Sequence, residues 1–302
     1  MNINDIQDFK IDYKSELFFD FEIKKLNWFN IGGKSRIFFK PKNLSELKNF
    51  LKLYSNRGKI FILGSGSNIL FKDELYEGVV IKLSNNFSTL TKLSENLIIA
   101  GSSCSQKKLS NYAMENDLSG FEYMYCIPGS VGGGIRMNSG CFGSEFKDQI
   151  VSVQCIDTYG NIKIIPSSEI KFEYRNTILD DNLIFLSATF KGVKSDKKKI
   201  QNLMNKMSKK KNNTQPSKIK TGGSTFKNPI DQTSKKAWEL IKQSVSKNLN
   251  FGDAHISDKH SNFFVNRNNA SFKEMNSLIN FVKKNVKDKT GINIDLEIKI
   301  ID

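Results

Sequence analysis

Two loops rich in glycine and serine are the parts of this sequence best suited to hold a phosphorylated ligand. One is Leu63-Gly-Ser-Gly-Ser-Asn-Ile-Leu70, which directly follows an apolar stretch, and the other is Ile127-Pro-Gly-Ser-Val-Gly-Gly-Gly-Ile-Arg-Met-Asn138. Glycine is costly to order and buries no side chain, so such clusters indicate close approach of the backbone to another group. Successive backbone N–H groups can bind phosphate. Two such loops predict a ligand with an extended diphosphate, such as a dinucleotide.

The chain lacks the spacing of the two commonest phosphate-binding motifs, both in the first loop and at a Gly-Lys-Ser triplet elsewhere. A Rossmann fingerprint requires a third glycine after Gly64-Ser-Gly66, where this chain has Ile69. A P-loop requires a glycine five residues before Gly33-Lys34-Ser35, where this chain has Trp28. Either loop alone would be more typical of a tight turn, but the two together predict a dinucleotide site of another architecture.

The composition argues against several other classes of protein. The 302 residues carry a formal net charge of +15, but lysines supply nearly all of the positive charge. Nucleic-acid surfaces usually use arginine to contact bases and phosphates, so we expect no nucleic-acid partner. The four cysteines are widely spaced without a Cys-x-x-Cys pair, and the two histidines lie five residues apart. We therefore expect neither a metal site nor a disulfide framework.

Hydrophobic patterning predicts a protein with an α+β fold. Helices are predicted over residues 43–57, 105–117, 194–214 and 235–242 and from 271 onward, and strands over 60–63, 79–83, 150–157, 162–165, 183–190 and 292–300. The chain has no apolar run long enough to span a membrane, and its N-terminus lacks a signal-peptide pattern. We expect a cytoplasmic protein that does not bind membranes.

Seven short segments together resemble the family of UDP-N-acetylenolpyruvoylglucosamine reductases, flavoenzymes of peptidoglycan precursor synthesis. In chain order they are Asn30–Gly33 with Arg36, Leu63–Asn68, Ile127–Gly133 with Asn138, Tyr174–Asn176, Thr221–Pro229, Ser257–Asn262 and Leu296–Glu297. The resemblance implies an FAD-binding region of the vanillyl-alcohol-oxidase (PCMH) type, followed by a smaller α/β substrate-binding domain. On this basis we expect an extension over residues 1–27, followed by the FAD-binding region over 28–193, with subdomains at about 28–86 and 87–193. A linker helix over 194–214 would then lead to the substrate-binding domain over 215–302.

The resemblance also implies a reaction and three catalytic residues. NADPH would reduce FAD, and the flavin would pass hydride to the enolpyruvyl group of UDP-N-acetylglucosamine enolpyruvate, giving UDP-N-acetylmuramate. Arg175 matches the arginine that stabilises the enolate, Ser224 the proton donor to C2, and Glu297 a residue that hydrogen-bonds the substrate carboxylate in its neutral form. Asp295 is a rival carboxylate on the same predicted strand face.

The remaining predicted site residues bind the cofactor or the substrate. The predicted FAD contacts are Gly64, Ser65, Gly66, Ser67, Asn68, Ile127, Pro128, Gly129, Ser130, Gly132, Gly133 and Asn138. The predicted substrate contacts are Tyr174, Lys227, Asn228 and Lys211. Because no histidine precedes His255, a histidyl-linked flavin is excluded from residues 1–250, and we expect non-covalent FAD. The chain resembles the shorter subgroup, which lacks an extra tyrosine-bearing loop, and we expect a monomer.

Two other functions fit part of the same sequence. Another FAD-dependent sugar or hydroxyacid oxidase would share the flavin-binding region, and a basic nucleic-acid-binding protein would explain the net charge. A yellow colour of the purified protein separates the flavin enzymes from the nucleic-acid-binding protein. NADPH oxidation that depends on the enolpyruvyl UDP-sugar separates the reductase from the oxidases.

Overall fold

The computed structural model of the chain describes residues 9, 16–54 and 57–302. The helices considered below are α1 (Leu44–Tyr54), α2 (Gln106–Glu115), α3 (Val131–Arg136), α4 (Lys197–Thr214), α5 (Ala237–Ser244) and α6 (Phe272–Thr290). The strands are β1 (Glu16–Glu22), β2 (Lys34–Lys40), β3 (Lys59–Ile62), β4 (Ile69–Phe71), β5 (Tyr76–Ile81), β6 (Leu90–Lys92), β7 (Leu97–Gly101), β8 (Leu118–Ser119), β9 (Gly140–Cys141), β10 (Ser144–Glu145), β11 (Ile150–Ile156), β12 (Ile162–Pro166), β13 (Lys171–Glu173), β14 (Asn176–Ile178), β15 (Ile184–Lys191), β16 (Val193–Lys194), β17 (Asn250–Phe251), β18 (Ala254–Ile256), β19 (Phe264–Asn266) and β20 (Lys299–Ile301). Among these described residues, no helix is both long and apolar enough to cross a membrane.

The chain divides into two compact units that are not consecutive in sequence. Of the described residues, the first unit comprises 9, 16–19, 36–54, 57–65 and 77–210, and the second comprises 20–35, 66–76 and 211–302. The sequence-based division places residues 28–193 in one region, whereas the structure groups two short segments of that region with the C-terminal residues. One reason is that β4 pairs in parallel with β20, a contact that sequence patterning could not reveal.

The first unit has two hydrophobic cores. A four-stranded sheet in the order β1-β2-β5-β3 has most of its residues in this unit, and α1 lies next to its core. Asn43 begins α1 by accepting a hydrogen bond from the backbone N–H of Glu46 at 2.9 Å, and the apolar stripe of α1 is buried. The predicted helix 43–57 is therefore present, although residues 55–56 lie outside the described residues.

The second core of the first unit lies against a five-stranded antiparallel sheet in the order β12-β11-β15-β7-β6. The predicted strands over 150–157, 162–165 and 183–190 form three of its members. Buried residues of α2 and α3, including Leu109 and Ile135, pack in this core. Ser105 begins α2 by accepting from the backbone N–H of Lys108 at 3.2 Å.

The second unit contains the three-stranded sheet β17-β18-β19 and the helices α5 and α6. Helix α6 begins at residue 271, as predicted, with a capping box in which Ser271 and Glu274 each accept from the other's backbone N–H. It ends before Gly291, whose left-handed φ of +71° is one that glycine adopts without steric cost. The apolar face of α6 packs in one core with Phe29, Leu70 and Ile298, so the segments around residues 29 and 70 belong to this unit.

Two sequence predictions require correction. The strand predicted over 292–300 is wrong for most of its length, because regular pairing is confined to β20 and residues 292–298 contact a loop instead. The extension predicted over 1–27 is expected to be irregular because its sequence shows no clear helix or strand pattern, but it contains β1, whose residue Leu17 is buried. The part of that extension at residues 1–8 and 10–15 lies outside the described residues.

Candidate active site

The two glycine loops contact one another in the first unit. Gly64 follows β3, and a Cβ atom on it would lie 2.6 Å from the Oγ of Ser130. Glycine is therefore required at position 64 for this close approach of the two loops. Ser130 begins α3, and its Oγ accepts from the backbone N–H of Gly133 at 3.2 Å. The structure thus brings together two loops that lie more than sixty residues apart in the sequence.

The contact leaves several backbone N–H groups available for an anion. Within the described part of the chain, the N–H groups of Gly64, Ser65, Gly129 and Ser130 donate to no acceptor. A backbone donor without a protein partner needs water or a ligand. These four donors fit the phosphates of a dinucleotide, the ligand class that the sequence predicts.

The later part of the second loop is already hydrogen-bonded within the protein. The N–H of Val131 donates to the carbonyl of Cys104 at 2.8 Å, and that of Gly132 donates to the carbonyl of Ser102 at 2.8 Å. A Cβ on Gly132 would lie 3.1 Å from the Cβ of Ser102, so this glycine serves close packing. The backbone N–H groups of Gly132 and Gly133 therefore contribute to the loop's shape. Direct cofactor contact by these residues stays a prediction.

Asn138 is fully buried and uses its side-chain amide within the protein. Its Nδ2 donates to Glu145 Oε2 and to the carbonyl of Glu173, each at 3.0 Å, and its Oδ1 accepts from the N–H of Lys147 at 3.0 Å. These bonds favour a structural role for Asn138, that of fixing Glu145. Ile127 and Pro128 precede the loop, and for these two residues contact with FAD stays a prediction.

Arg175 occupies a strained position in a tight turn. Tyr174 and Arg175 connect β13 to β14, and Arg175 has a φ of +56° at the second turn position, where glycine or asparagine is usual. Strain of this kind is found most often at functional sites. The guanidinium lies over the ring of Tyr174, with its Cζ 4.9 Å from the ring centroid. This geometry supports the prediction that Arg175 has a function beyond the turn.

The Arg175 side chain is held by two acceptors of the first unit. Its Nη2 donates to the carbonyl of Gly140 at 2.7 Å, and its Nη1 lies 3.6 Å from Glu145 Oε1. Both charged side chains are mostly buried, with 17% and 18% of their surfaces exposed. Glu145 also pairs with Lys147 at 2.9 Å and raises the pKa of that lysine by hydrogen bonding to it. Glu145 was not predicted from the sequence, because nothing local links it to a residue thirty positions away.

In the second unit, the loop that carries Ser224 pairs with the segment that carries Glu297. The N–H of Glu297 donates to the carbonyl of Thr225 at 2.9 Å, which places Glu297 beside the residue that follows Ser224. Asn68 fixes the same segment, since its Nδ2 donates to the carbonyl of Glu297 at 2.9 Å. Among the described residues, the hydroxyl of Ser224 makes no hydrogen bond. The partly exposed hydroxyl of Ser224 is thus available to a ligand.

The loop that carries Ser224 is fixed by a buried asparagine. Asn262 accepts from the N–H of Phe226 at 3.0 Å and donates to its carbonyl at 2.8 Å, and the carbonyl of Asn262 accepts from the N–H of Thr225. Gly222 packs so closely that a Cβ would lie 2.3 Å from the ring of Phe29. Gly223 has a φ of +82° and supplies the turn before Ser224.

The remaining carboxylate and cation of this loop are less enclosed. Asp295, the rival to Glu297, has a side chain that is 79% exposed and lies 3.8 Å from Lys283. The carbonyl of Asp295 accepts from the N–H of Lys227 at 2.8 Å, so its backbone helps to hold the loop. Glu297 itself is half-buried whereas Asp295 is exposed, which favours Glu297 as the functional carboxyl group.

Four other predicted residues have identifiable places. The Oδ1 of Asn228 accepts from the N–H of Ala237 at 3.0 Å, so this oxygen supports the start of α5. Lys211 lies in the last turn of α4. Gly66 has a φ of +68°, and a Cβ there would lie 2.2 Å from the carbonyl oxygen of Leu26. Ser67 lies in the same loop, and the ligand contacts of all four residues stay predictions.

Comparisons with known proteins agree with this geometry. A model for the FAD binding domain matches residues 35–165, and one for the UDP-N-acetylenolpyruvoylglucosamine reductase C-terminal domain matches residues 215–301. UDP-N-acetylenolpyruvoylglucosamine reductase from Pelagibacter ubique (strain HTCC1062) is 54% identical over 301 residues, with all of both chains covered. The reductase from Rickettsia prowazekii (strain Madrid E) is 43% identical, covering 95% of this chain and 96% of the relative.

A solved structure is similar over the same length. The crystal structure of UDP-N-acetylenolpyruvylglucosamine reductase from Thermus caldophilus superposes with a TM-score of 0.81 at 27% identity, covering 95% of this chain and 99% of that one. The predicted α+β fold with an FAD-binding region is confirmed. Because the sequence similarity extends over whole chains, this protein belongs to the family of UDP-N-acetylenolpyruvoylglucosamine reductases.

Proposed function

We propose that the chain reduces the enolpyruvyl group of UDP-N-acetylglucosamine enolpyruvate to UDP-N-acetylmuramate, with NADPH as reductant and FAD as cofactor. This reaction supplies a precursor of peptidoglycan. The full-length relatives that carry the name of this reductase support the proposal. The structural observation that supports it most directly is the pairing of the Ser224 loop with the segment of Glu297, in which the N–H of Glu297 donates to the carbonyl of Thr225. The reaction needs both a proton donor and a group that binds a carboxylate.

The two glycine loops fit FAD as the cofactor. Gly64, Ser65, Gly129 and Ser130 would hold its diphosphate through backbone N–H groups that have no other acceptor in the described chain. When bound, FAD accepts hydride from NADPH and delivers it to the enolpyruvyl double bond. Because the chain has no histidine before His255, the loops hold FAD without a histidyl bond.

Arg175 stabilises the negative charge that develops on the substrate. Hydride arriving at C3 leaves an electron pair at C2, which is delocalised into the adjacent carboxylate as an enolate. A guanidinium group with a planar pair of donors suits such a dianion. Gly140 and Glu145 fix the guanidinium before the charge appears, which is the condition for effective electrostatic catalysis.

Ser224 and Glu297 complete the reaction in this proposal. The Ser224 hydroxyl donates its proton to C2, forming the new C–H bond, and the serine oxygen regains a proton from solvent. A serine is a weak acid in water, but an enolate with carbanion character is basic enough to accept its proton. Glu297 hydrogen-bonds the substrate carboxylate in its neutral form. We propose Tyr174, Lys227, Asn228 and Lys211 as contacts to the UDP-sugar.

A coupled assay tests the proposed function directly. The purified protein should carry a yellow chromophore that acid precipitation releases completely into the supernatant, as expected for non-covalent FAD. NADPH oxidation beyond the one equivalent that reduces the flavin, followed as loss of its absorbance, should require the enolpyruvyl UDP-sugar. Flavin reduction that is reversed by oxygen or by a simple sugar, with no response to the enolpyruvyl UDP-sugar, would identify another flavin oxidoreductase instead.

We further propose that the enzyme works as a monomer in the cytoplasm, where NADPH and the UDP-sugar are available. Light scattering coupled to size-exclusion chromatography tests this, and a mass near 34.3 kDa is the expected result. A stable mass of twice that value would contradict it.

A further inference from the structure

Lys82 lies directly beside the first glycine loop, although it is nineteen residues away from Leu63 in sequence. It follows β5, which runs parallel to β3, and β3 leads into the loop. Parallel strands present their carboxyl ends at the same edge of a sheet, so the residues that follow them become neighbours. The N–H of Leu63 donates to the carbonyl of Ile81 at 2.8 Å, which fixes the start of the loop next to Lys82.

The Lys82 side chain points at the loop. Its Nζ donates to the carbonyl of Gly64 at 2.6 Å. An ammonium group has three donors, and this bond uses one of them. The acceptor belongs to the same glycine that contacts Ser130, so Lys82 is fixed at the place where the two glycine loops meet.

Lys82 lacks a negative partner within the described residues. No carboxylate there forms an ion pair with it, and the neighbouring charge is the cation of Lys40. Burial, and in addition the positive charge of Lys40, lower the pKa of Lys82. Lys40 itself is neutralised by Glu16 at 2.9 Å, so the uncompensated charge belongs to Lys82. A partly buried cation without a counter-ion is costly, and a nearby anion relieves that cost.

The surroundings of Lys82 select the kind of anion. Gly64, Ser65, Gly129 and Ser130 offer backbone N–H groups but no full positive charge. A diphosphate carries two negative charges, which N–H groups solvate without neutralising. We propose that Lys82 binds the diphosphate of FAD and supplies the positive charge that the glycine loops lack. This inference rests on FAD binding and does not depend on which substrate the flavin reduces.

The test measures binding of cofactor fragments by full-length Lys82→Met. The bound fraction of FAD is read from flavin fluorescence anisotropy on dilution of the holoenzyme. We expect the Kd for FAD to rise roughly 10- to 100-fold, the loss that accompanies removal of a hydrogen bond to a charged group. Riboflavin, which has no phosphate, should bind the parent and Lys82→Met equally. In competition with FAD, ADP should bind the variant with lower affinity than it binds the parent. The affinity of adenosine should be the same for both proteins.

Two further variants separate charge from structure. Lys82→Arg keeps a cation and should bind FAD within about threefold of the parent, because a guanidinium also binds phosphate. Lys40→Met removes the neighbouring cation, which pairs with Glu16, and should leave the FAD Kd within about twofold, since it breaks only a half-exposed ion pair. Lys82→Gln is measured in parallel, and circular dichroism of both uncharged variants verifies folding.

Three results would contradict the proposed role of Lys82. If Lys82→Met or Lys82→Gln binds FAD as tightly as the parent, Lys82 does not bind the diphosphate. If Lys82→Met lowers the affinities for riboflavin and adenosine as much as those for FAD and ADP, Lys82 has only the structural role of donating to the Gly64 carbonyl. A FAD affinity of the parent that does not fall with added salt would also overturn the proposal, because a lysine–diphosphate contact is electrostatic.

Discussion

Glu145 Oε1 lies 3.6 Å from Arg175 Nη1, and both side chains are more than four-fifths buried. Glu145 does not depend on Arg175 for its own position. Its second oxygen accepts from Asn138 at 3.0 Å and pairs with Lys147 at 2.9 Å. The carboxylate is therefore a fixed reference that orients the guanidinium, in the way that outer partners orient a reacting group in other active sites.

Replacement of Glu145 by Gln should impair the step that Arg175 assists. Gln keeps the shape and can accept from Asn138, but it removes the charge that holds the guanidinium. We expect the reoxidation of reduced flavin by the enolpyruvyl UDP-sugar to slow about tenfold, which corresponds to roughly 1.4 kcal/mol. Reduction of the flavin by NADPH should be unchanged. Rapid-mixing absorbance at the flavin band measures both steps.

Lys147, the other charged partner of Glu145, provides the matched control. Lys147→Met removes a cation that is 46% exposed, and such surface pairs contribute little, so the rate should change less than about twofold. Equal losses in Glu145→Gln and Lys147→Met would show that the whole cluster acts through folding. If flavin reoxidation in Glu145→Gln is at least as fast as in the parent, Arg175 does not need the Glu145 carboxylate to hold its position.

Arg175→Lys tests the planar fork rather than the charge. A lysine ammonium cannot donate to Gly140 and face the substrate with a second parallel N–H. We expect the barrier for turnover of the enolpyruvyl sugar to rise by roughly 2–4 kcal/mol, the range for loss of one preorganised oxyanion donor. FAD binding and flavin reduction should stay at parental values. Turnover at the parental rate would remove Arg175 from the proposed chemistry.

Asn262→Ala should destabilise the second unit and its serine loop. Asn262 is 4% exposed, and its removal leaves both the N–H and the carbonyl of Phe226 without their partner. Unsatisfied buried groups cost about 1–3 kcal/mol, so we expect the free energy of unfolding to fall by roughly 2 kcal/mol. Urea unfolding measures it. Asn250→Ala, at an exposed asparagine, should change stability by less than about 0.5 kcal/mol.

The structure also shows how far local sequence patterns reach. The N-terminal caps and apolar faces of α1 and α6 lie within one helix each, so the type and approximate bounds of these helices could be predicted. The contact between Gly64 and Ser130 joins distant segments. Both loops could nevertheless be recognised in the sequence from their glycine and serine content. Lys82 carried a usable signal as well, since it ends an apolar strand next to the strand that leads into the first loop.

Other features could not be predicted because long-range packing overrides local patterns. The alternation around Glu297 is typical of a strand, but its N–H donates to Thr225 and its carbonyl accepts from Asn68. The segment therefore joins two loops instead of extending a sheet. Likewise, residues 66–76 belong to the second unit because β4 pairs with β20, more than two hundred residues later.

Ser224→Ala tests the proton donor by separating the reaction into halves. The Ser224 hydroxyl makes no hydrogen bond among the described residues, so its loss should leave stability unchanged. Flavin reduction by NADPH should also be unchanged, whereas reoxidation by the enolpyruvyl sugar should slow roughly 100-fold or more, the usual contribution of a positioned acid. Ser224→Cys should recover part of the rate, since a thiol is also a proton donor.

The same measurement of the two half-reactions provides the control for Ser224→Ala and the result that would contradict a role of Ser224 as proton donor. Ser246→Ala removes an exposed serine hydroxyl of the second unit and should leave both half-reactions at parental rates. If Ser224→Ala reoxidised its flavin as fast as the parent, the serine would be only a turn residue. Glu297 would then be the next candidate, because its backbone is fixed beside the same loop by Thr225. A solvent isotope effect on reoxidation that disappears in Glu297→Gln but persists in Ser224→Ala would assign the proton to the carboxyl group.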